Sequence, residues 1–372
     1  MKRAIAAIVV LSAVFITYWT FSASKLSKEF FFPSFTKLKR IVDTHDGYYL
    51  IAGETHDHGV GLLQIDSEGK VRWKRGFEGL ENAKNFPVAT ADTPQIAASK
   101  NLLYLAYHTT IHTKKGTIDG IRLQAIDRYS GRTLHERLIK SACSRYPTAL
   151  SCKKSCILAC EEVCPQDENF LSSSYLLYFD HLLQPKRQGN SKESPLYTLF
   201  KTSNGSIAFA KSGLGCVAFT ITNEGKVLAD SLQKLPFACI PHTIVQTKEG
   251  YAYLSQSDGA TRLVVLDAKM RPLWHKRIGK ASLNVTAMIA TSDGGYALIG
   301  RPYKKCKQCT YLLKLDSKGN LLYTKHFGGK YWDGASDIVE TKESFIIVGS
   351  NLSHAKTKRV GWIVIVPKED GQ

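Results

Sequence analysis

Residues 312–325 read LLKLDSKGNLLYTK, and residues 62–75 give nearly the same phrase, LLQIDSEGKVRWKR. In both, an apolar run ends in an aspartate, a polar turn containing glycine follows, and a second strand-like run begins. Looser copies of the phrase stand at 123–137, 176–187, 218–230, 263–277 and 362–371. The phrase therefore predicts a β-hairpin that recurs along the chain.

The aspartate keeps its place in most copies. It is Asp66, Asp127, Asp180, Asp267 and Asp316 in five of them, whereas Thr222 and Pro367 stand there in the fourth and seventh. A residue type that recurs at the turn while its neighbours vary indicates a repeated structural role. Successive copies are separated by roughly 40 to 60 residues, a spacing that suits a four-stranded unit with variable loops.

A second phrase precedes each copy of the first. Its best examples are HDGYYLIAG at 45–53 and SDGGYALIG at 292–300, each a polar turn running into a short apolar strand. One more strand stands before that turn, and in units two to five it starts near Pro94, Pro147, Pro195 and Pro241. Proline is tolerated at the first residue of a strand. Each unit is thus expected to hold four strands, which we call A to D.

These units predict an all-β fold, a seven-bladed β-propeller formed by residues 25–372. No stretch after residue 24 shows sustained helical periodicity. The seventh unit ends within a few residues of WIVIV (362–366), so it lacks a strand D. We expect residues 28–35, KEFFFPSF, to supply that strand and close the ring; the alternative is a hydrophobic linker.

Residues 1–24 read as a targeting segment that precedes the propeller. Lys2 and Arg3 are followed by 4–21, a stretch without charge, and then by the small residues Ser22-Ala23-Ser24. This pattern fits a cleaved signal peptide or an uncleaved membrane anchor, with a buried core helix as the third interpretation. Either of the first two predicts export to the periplasm or another extracytoplasmic space, as a released protein or tethered to the inner membrane.

The formal net charge of +18 favours anionic partners, such as phospholipid headgroups, acidic glycans or nucleic acid. Export argues against nucleic acid. The alternative interpretation is a lysine-rich surface that only keeps the protein soluble, because the basic residues form no continuous tract.

The nine cysteines agree with export to an oxidising compartment. The disulfide candidates are Cys152, Cys156, Cys160, Cys164, Cys216, Cys239, Cys306 and Cys309. Cys143 lies on the same expected face as Cys160 and Cys164. Cys306 and Cys309 form a CxxC, which fits a local disulfide, a zinc half-site or a redox motif.

The repeated phrases resemble those of bacterial exported β-propellers of the form DGGYxLxG…KxDxxGNxxWxKxxGG. They are also similar to pyrroloquinoline-quinone-type propeller repeats. The resemblance covers about 37–366 and places Trp73 and Trp274 on the tryptophan of the motif. It implies that this aromatic residue packs between blades and that the glycine makes the turn. It implies little about function. The sequence shows no metal and cofactor set of the quinone enzymes, so no cofactor, metal or catalytic residue is predicted.

Propellers bind ligands on the face formed by the D–A and B–C loops, which we call the loop face. The candidate binding residues there are Arg145, Tyr146, His242, Tyr303, Lys304, Tyr331, Trp332 and Asp333. Exposed aromatic side chains beside basic ones can stack on sugars or grip a protein. Trp332 has a competing interpretation as an inter-blade packing residue.

Two function classes follow. The leading hypothesis is a non-enzymatic, exported or membrane-tethered propeller that binds a protein or an anionic envelope polymer through the loop face. The alternative is a hydrolase or lyase that acts on an acidic glycan at the channel mouth, with Asp92, His242 and Asp333 as candidate groups. Carboxylates that converge with a histidine would favour the enzyme.

Overall fold

A computed structural model describes residues 27–368 apart from gaps at 57–58, 78–93, 114–115, 142, 153–154, 165–172, 192–194, 214, 224, 258, 279–282, 302–309, 330–332 and 355–357. Only the backbone is described at 77, 110–113, 116–118, 190, 229 and 257. Among these residues no helix combines the length and the apolar character needed to cross a membrane. The expected targeting segment, 1–24, lies outside the described residues.

The described chain forms seven four-stranded antiparallel sheets, so the predicted seven-bladed all-β propeller is confirmed. It begins with β1 (Lys28–Phe32). The first blade holds β2 (Phe35–Asp43), β3 (Tyr48–Thr55), β4 (Val60–Asp66) and β5 (Val71–Phe77). The second holds β6 (Gln95–Ala98), β7 (Leu102–Thr113), β8 (Gly116–Asp127) and β9 (Thr133–Ser141). The third holds β10 (Ser144–Cys152), β11 (Cys156–Val163), β12 (Ser173–Phe179) and β13 (Pro185–Ser191).

The fourth blade holds β14 (Leu196–Thr202), β15 (Gly205–Ser212), β16 (Gly215–Thr222), a short 3-10 helix (Ala229–Ser231) and β17 (Gln233–Lys234). The fifth holds β18 (Val245–Gln246), β19 (Gly250–Ser257), β20 (Ala260–Asp267) and β21 (Pro272–Ile278). The sixth holds β22 (Asn284–Ala290), β23 (Tyr296–Arg301), β24 (Thr310–Leu315) and β25 (Leu321–Phe327). The seventh holds β26 (Gly334–Glu340), β27 (Ser344–Asn351) and β28 (Val360–Pro367), with β1 as its outer strand.

The ring is closed by the pairing of β1 with β28. They pair antiparallel from Lys28 opposite Ile365 to Phe32 opposite Gly361. The stretch 28–35 is not one element, since β2 already begins at Phe35. One buried cluster joins β2, β3 and β4 to β27 and β28 across this seam between the first and seventh blades.

The core consists of apolar layers between neighbouring blades. Strands B and C are buried on both faces, which explains their nearly continuous apolar runs; β27, for example, is buried at every residue. Strand D forms the rim and alternates between exposed and partly buried residues, as in β25. Each blade therefore buries its apolar surface only by packing against its neighbours.

The recurrent aspartate is a turn residue. In the first blade, Asp66 Oδ1 accepts hydrogen bonds from the backbone N–H groups of Glu68 and Lys70, both at 2.9 Å. Asp180, Asp267 and Asp316 accept the equivalent pairs of N–H groups in their blades. In the fourth blade the Thr222 hydroxyl takes the bond from the second of these positions. Short polar side chains of this kind close turns without help from other blades.

The glycine of the same turn lies against an aromatic ring of the preceding blade. Gly131 lies against Trp73, whose Nε1 donates to the Arg128 carbonyl at 3.1 Å. Gly69 lies in the same way against Phe30 of β1, which occupies the place of the tryptophan at the seam. Both glycines have positive φ. Ring and glycine thus fix the spacing between neighbouring blades.

Candidate functional site

The loop face carries three groups of polar side chains that several blades bring together. Strand A starts there, strand B ends there and strand C starts again there, because successive strands are antiparallel. We call the three groups the channel cavity, the Arg145 cluster and the basic cluster. A further cavity, lined by Lys28, Tyr49 and Thr341 among others, lies at the opposite end of the seam.

The channel cavity has a volume of about 300 Å³ and opens at the centre of the ring. The residues that line it are Arg40, Gln95, Pro147, Thr148, Glu161, Pro195, Leu196, Tyr197, Pro241 and His242. Three prolines at the strand A starts form stiff walls without N–H groups. Strand A is bulged where it contributes Thr148 and Tyr197, and such bulges redirect side chains.

Arg40 and His242 form the polar contact of this cavity. Arg40 Nη2 lies 2.9 Å from His242 Nδ1, and the Nε atom of Arg40 is buried without a partner among the described residues. His242 is accessible from the channel opening, although atoms of several blades surround its ring. Its pKa is lowered, first because the surrounding blades desolvate it and second because the Arg40 cation lies beside it. His242 is therefore neutral near pH 7 and can accept the hydrogen bond from Arg40.

Asp337 lies behind Arg40, in strand A of the seventh blade. Its Oδ2 accepts from the Ile41 N–H at 3.1 Å and its Oδ1 from the Ile338 N–H at 3.0 Å. Burial raises the pKa of Asp337, although Arg40 and the two amides act in the opposite sense. The carboxyl group is thus used to join the first and seventh blades rather than to pair directly with Arg40.

The Arg145 cluster lies on the third blade. Arg145 Nε is 2.6 Å from Glu162 Oε1, and its guanidinium stands 3.6 Å from the centroid of the Tyr175 ring. Tyr146 packs against His108 with ring centroids 4.8 Å apart. Cation, carboxylate and ring already satisfy one another, which makes this group a rigid support with little charge left for a ligand.

A disulfide between Cys143 and Cys164 lies next to this cluster. Other disulfides join Cys152 to Cys156 and Cys216 to Cys239. The expectation that Cys160 joins a disulfide is wrong: its thiol is unbonded and buried, and burial raises its pKa. Cys160 stands opposite Pro147 of β10 and Tyr175 of β12, so neither facing position offers it a second thiol. Cys306 and Cys309 lie outside the described residues, so their alternatives stay open.

The sulfur atoms of Cys143 and Cys164 and the Glu162 carboxylate lie within 4.8 Å of one another, a distance compatible with a metal site. In the disulfide form both sulfurs are bonded to each other, and Arg145 holds Glu162. A metal also requires thiolates, which the disulfide removes. In this state the disulfide and the Glu162–Arg145 ion pair therefore hold this part of the third blade together.

The basic cluster consists of Lys37, Lys39, Arg301 and Arg359, which come from the first, sixth and seventh blades. The pKa of Lys37 is lowered, chiefly by burial and then by Lys39, with Arg359 and Arg301 adding to the effect against Glu54. The pKa of Arg301 is likewise lowered by burial and then by Arg359. Burial is thus the first cause of both shifts, and the neighbouring cations add to it, while Asp333 acts in the opposite sense on Arg301.

Two carboxylates accompany the basic cluster, and both are occupied. Glu54 Oε1 lies 2.5 Å from Lys39 Nζ. Asp333 is fully buried; its Oδ2 accepts from the Gly329 N–H at 2.6 Å, and its Oδ1 accepts from the N–H groups of Leu352 at 2.7 Å and Ser353 at 3.0 Å. Asp333 thus ties two loops together and does not face solvent.

The residues predicted from the sequence therefore do not form one site. His242 lines the channel cavity, Arg145 and Tyr146 lie in the Arg145 cluster, and Asp333 anchors loops beside the basic cluster. Tyr303, Lys304, Tyr331 and Trp332, like Asp92 of the enzyme alternative, lie outside the described residues. Among the described residues, His242 meets an arginine at this mouth rather than a carboxylate.

Sequence reasoning missed Arg40, Gln95, Glu161, Lys37 and Arg359. No local motif marks them, because they are spread over four blades. Their common signal is position: Arg40, Gln95 and Lys37 fall in strand A, the strand nearest the channel.

Comparison with known proteins gives a likeness to solved structures and no family. No protein-family model matches the chain, and no curated protein matches it either. Among solved structures, the crystal structure of Saccharomyces cerevisiae Sqt1 is similar at 10% identity and a TM-score of 0.47, covering 91% of this chain and 98% of that one.

Proposed function

We propose that this chain is a non-enzymatic, exported or membrane-tethered β-propeller that binds a protein or an anionic envelope polymer through its loop face. The observation that carries the proposal is the basic cluster. It gathers four cations from three blades on one surface, and the carboxylates that accompany them among the described residues are Glu54 and Asp333.

The position of the cluster supports recognition of a partner rather than general solubility. Lys37 is drawn into a partly desolvated site beside other cations, at a cost that an isolated lysine would avoid. An anionic group bound there would relieve this repulsion. Electrostatic attraction of this kind also speeds association and selects partners by charge.

The disulfides support the exported location. Cys143–Cys164, Cys152–Cys156 and Cys216–Cys239 are of the kind that persists in oxidising compartments. The proposed signal or anchor, 1–24, would deliver the propeller there, and an uncleaved segment would tether the propeller by the face opposite the loop face, where β1 begins at Lys28.

The state of the candidate catalytic groups supports binding over hydrolysis. His242 is neutral beside Arg40, and both carboxylate oxygens of Asp333 accept hydrogen bonds from backbone amides. A general acid and base pair needs two groups within reach of one bond, with separated pKa values. His242 is bonded to Arg40, and Asp333 is bonded to three backbone amides, so both groups are already engaged.

The test measures binding of the chain from residue 25 onward to immobilised poly-L-glutamate and to polyphosphate, over a range of salt concentrations. The K37Q/R359Q variant removes two cations of the loop face. The matched control, K248Q/K269Q, removes the same charge from turns at the opposite face. We expect the first variant to bind about tenfold more weakly at moderate salt and the control to bind like the native chain.

Equal losses in the two variants would mean attraction by net charge alone and would overturn the proposal for the loop face. Cleavage of an acidic glycan by the native chain would overturn its non-enzymatic part. A protein partner, once in hand, is expected to show the same ranking of the two variants.

A further inference from the structure

The channel cavity is separate from the basic cluster and has its own chemistry. Its volume of about 300 Å³ suits a small molecule at the lower end of the range of ligand pockets. Of the residues described along its wall, Arg40 and Glu161 carry charge, because His242 is neutral. The cavity thus has one positive and one negative wall residue.

The positive side is held in place by His242 and makes no ion pair with a described carboxylate. Burial lowers the pKa of Arg40 and Asp337 acts in the opposite sense; the guanidinium keeps its charge, as guanidinium groups in proteins do. His242 fixes one of its nitrogens, and the buried Nε has no partner among the described residues. Asp337, the carboxyl group behind it, is bonded to two amides and has a raised pKa. Arg40 is therefore a cation with donor capacity to spare.

The negative side comes from the third blade. Glu161 stands on β11, where its neighbour Glu162 is bonded to Arg145 while Glu161 itself pairs with no cation in the described part of the chain. Its charge reaches Tyr197, whose pKa is raised first by burial and then by Glu161. Arg40 and Glu161 make no direct ion pair although both line the same cavity.

A cavity that keeps opposite charges apart is complementary to a ligand that carries both. The intervening wall is rigid, since Pro147, Pro195 and Pro241 fix their backbone and Gln95 Nε2 reaches the Pro147 carbonyl at 3.4 Å. A rigid, preorganised site loses little freedom when a ligand binds.

We propose that the channel cavity binds a small zwitterion, a molecule with one carboxylate and one ammonium group, with its carboxylate at Arg40 and its ammonium at Glu161. Arg40 can donate to a carboxylate through its unused nitrogens, and Glu161 can accept from an ammonium. This site goes beyond the proposed function, because it uses neither Lys37 nor Arg359.

The test is calorimetric titration of the folded chain with glycine, β-alanine, 4-aminobutyrate and 6-aminohexanoate, which differ in the distance between their charges. Butyrate and butylamine are the single-charge controls. We expect one chain length to bind best and both single-charge analogues to bind at least about tenfold more weakly than that ligand. R40Q and E161Q should each lower its affinity by a similar factor.

The matched variants R132Q and E249Q change the same charges in turns at the opposite face and should leave affinity intact. K37Q/R359Q should also bind the zwitterion normally, so the two proposals can fail independently. Absence of heat from all four amino acids up to about 10 mM would overturn the inference. So would butyrate binding as tightly as 4-aminobutyrate, and these comparisons on the native chain do not depend on how R40Q folds.

Discussion

At the scale of single residues, the fold depends on positions where backbone and neighbour together dictate the side chain. The turn between strands C and D needs positive φ, and glycine supplies it in Gly69, Gly131 and Gly319. Leu183 and Met270 accept the same conformation in the third and fifth blades. Both are buried against the preceding blade, so apolar burial offsets the backbone strain there.

Substituting Gly69 by alanine tests this contact. A Cβ at Gly69 would lie 2.6 Å from the Phe30 ring, whereas one at Gly47 would meet nothing within 4 Å, and both residues have positive φ. We expect G47A to lower the free energy of unfolding by about 1 kcal/mol through backbone strain alone, and G69A by about 2 to 3 kcal/mol. Urea unfolding measures both. Equal losses would show that the ring contact contributes nothing.

Asp293 gives the fold a defined dependence on pH. Lys314 Nζ, nearly buried, lies 2.8 Å from Asp293 Oδ2. Burial alone would raise the pKa of Asp293, but the bonds from Lys314, Thr291 and the Gly295 amide outweigh it and lower the pKa from 3.8 to about 2. The stabilisation is complete above pH 3.8 and is lost as the pH falls towards 2.

We therefore expect D293N to be less stable than the native chain at pH 6, and the gap between them to close near pH 2. Urea midpoints across this range give the result. A gap that stays constant with pH would mean that the Asn side chain disturbs packing and that the charge of Asp293 is irrelevant.

At the scale of elements, the sequence predicts strands best where the turn is built locally. The Asp-x-x-Gly turns form their hydrogen bonds within their own four or five residues, so these turns can be recognised in the sequence. The strands of the fourth and fifth blades are harder to predict from the sequence, because β17 and β18 hold two residues each and depend on contacts with other parts of the chain. The channel cavity cannot be predicted from the sequence for the same reason, because Arg40, Glu161 and His242 line one cavity only when three blades are assembled.

The Cys216–Cys239 disulfide stabilises the fourth blade, whose outer strand β17 holds two residues. It ties β16 to the segment that follows β17, where the ladder is short, and both cysteines belong to the core between the fourth and fifth blades. It closes a sequence separation of 23 residues, against 4 for Cys152–Cys156. We expect C216A/C239A to lower the free energy of unfolding by about 3 kcal/mol and C152A/C156A by about 2 kcal/mol.

Guanidinium unfolding of the two double variants, under oxidising conditions, measures the difference. A larger loss in C152A/C156A would show that the longer loop is already restrained in the unfolded chain.

At the scale of the whole molecule, the ring has one seam, and the seam joins the two ends of the propeller. β1 pairs with β28, Trp362 Nε1 donates to Glu29 Oε2 at 3.1 Å, and the Phe31 ring stacks on His354 with centroids 3.9 Å apart. Behind this pairing, β2 packs against β26, β27 and β28. Strands that are far apart in the chain thus close the ring, which makes closure a late step in folding by contact order.

Replacing Lys28–Phe32 by five glycine and serine residues should open this seam. Without β1, the backbone groups of β28 form an unpaired sheet edge, and such edges pair with other copies of the chain. We expect faster amide exchange in β28 and β2 and the appearance of dimers in size-exclusion chromatography. Added peptide of residues 26–36 should restore protection.

The control is the same replacement in β21, the outer strand of the fifth blade, which removes a rim strand far from the seam. Its effect should stay within β20 and its neighbours, with exchange in β2 unchanged, because no chain terminus is joined there. Equal increases of amide exchange in β2 after the two replacements would contradict this prediction. They would mean that the loss of any outer strand destabilises the whole ring and that β1 has no special role in closing it.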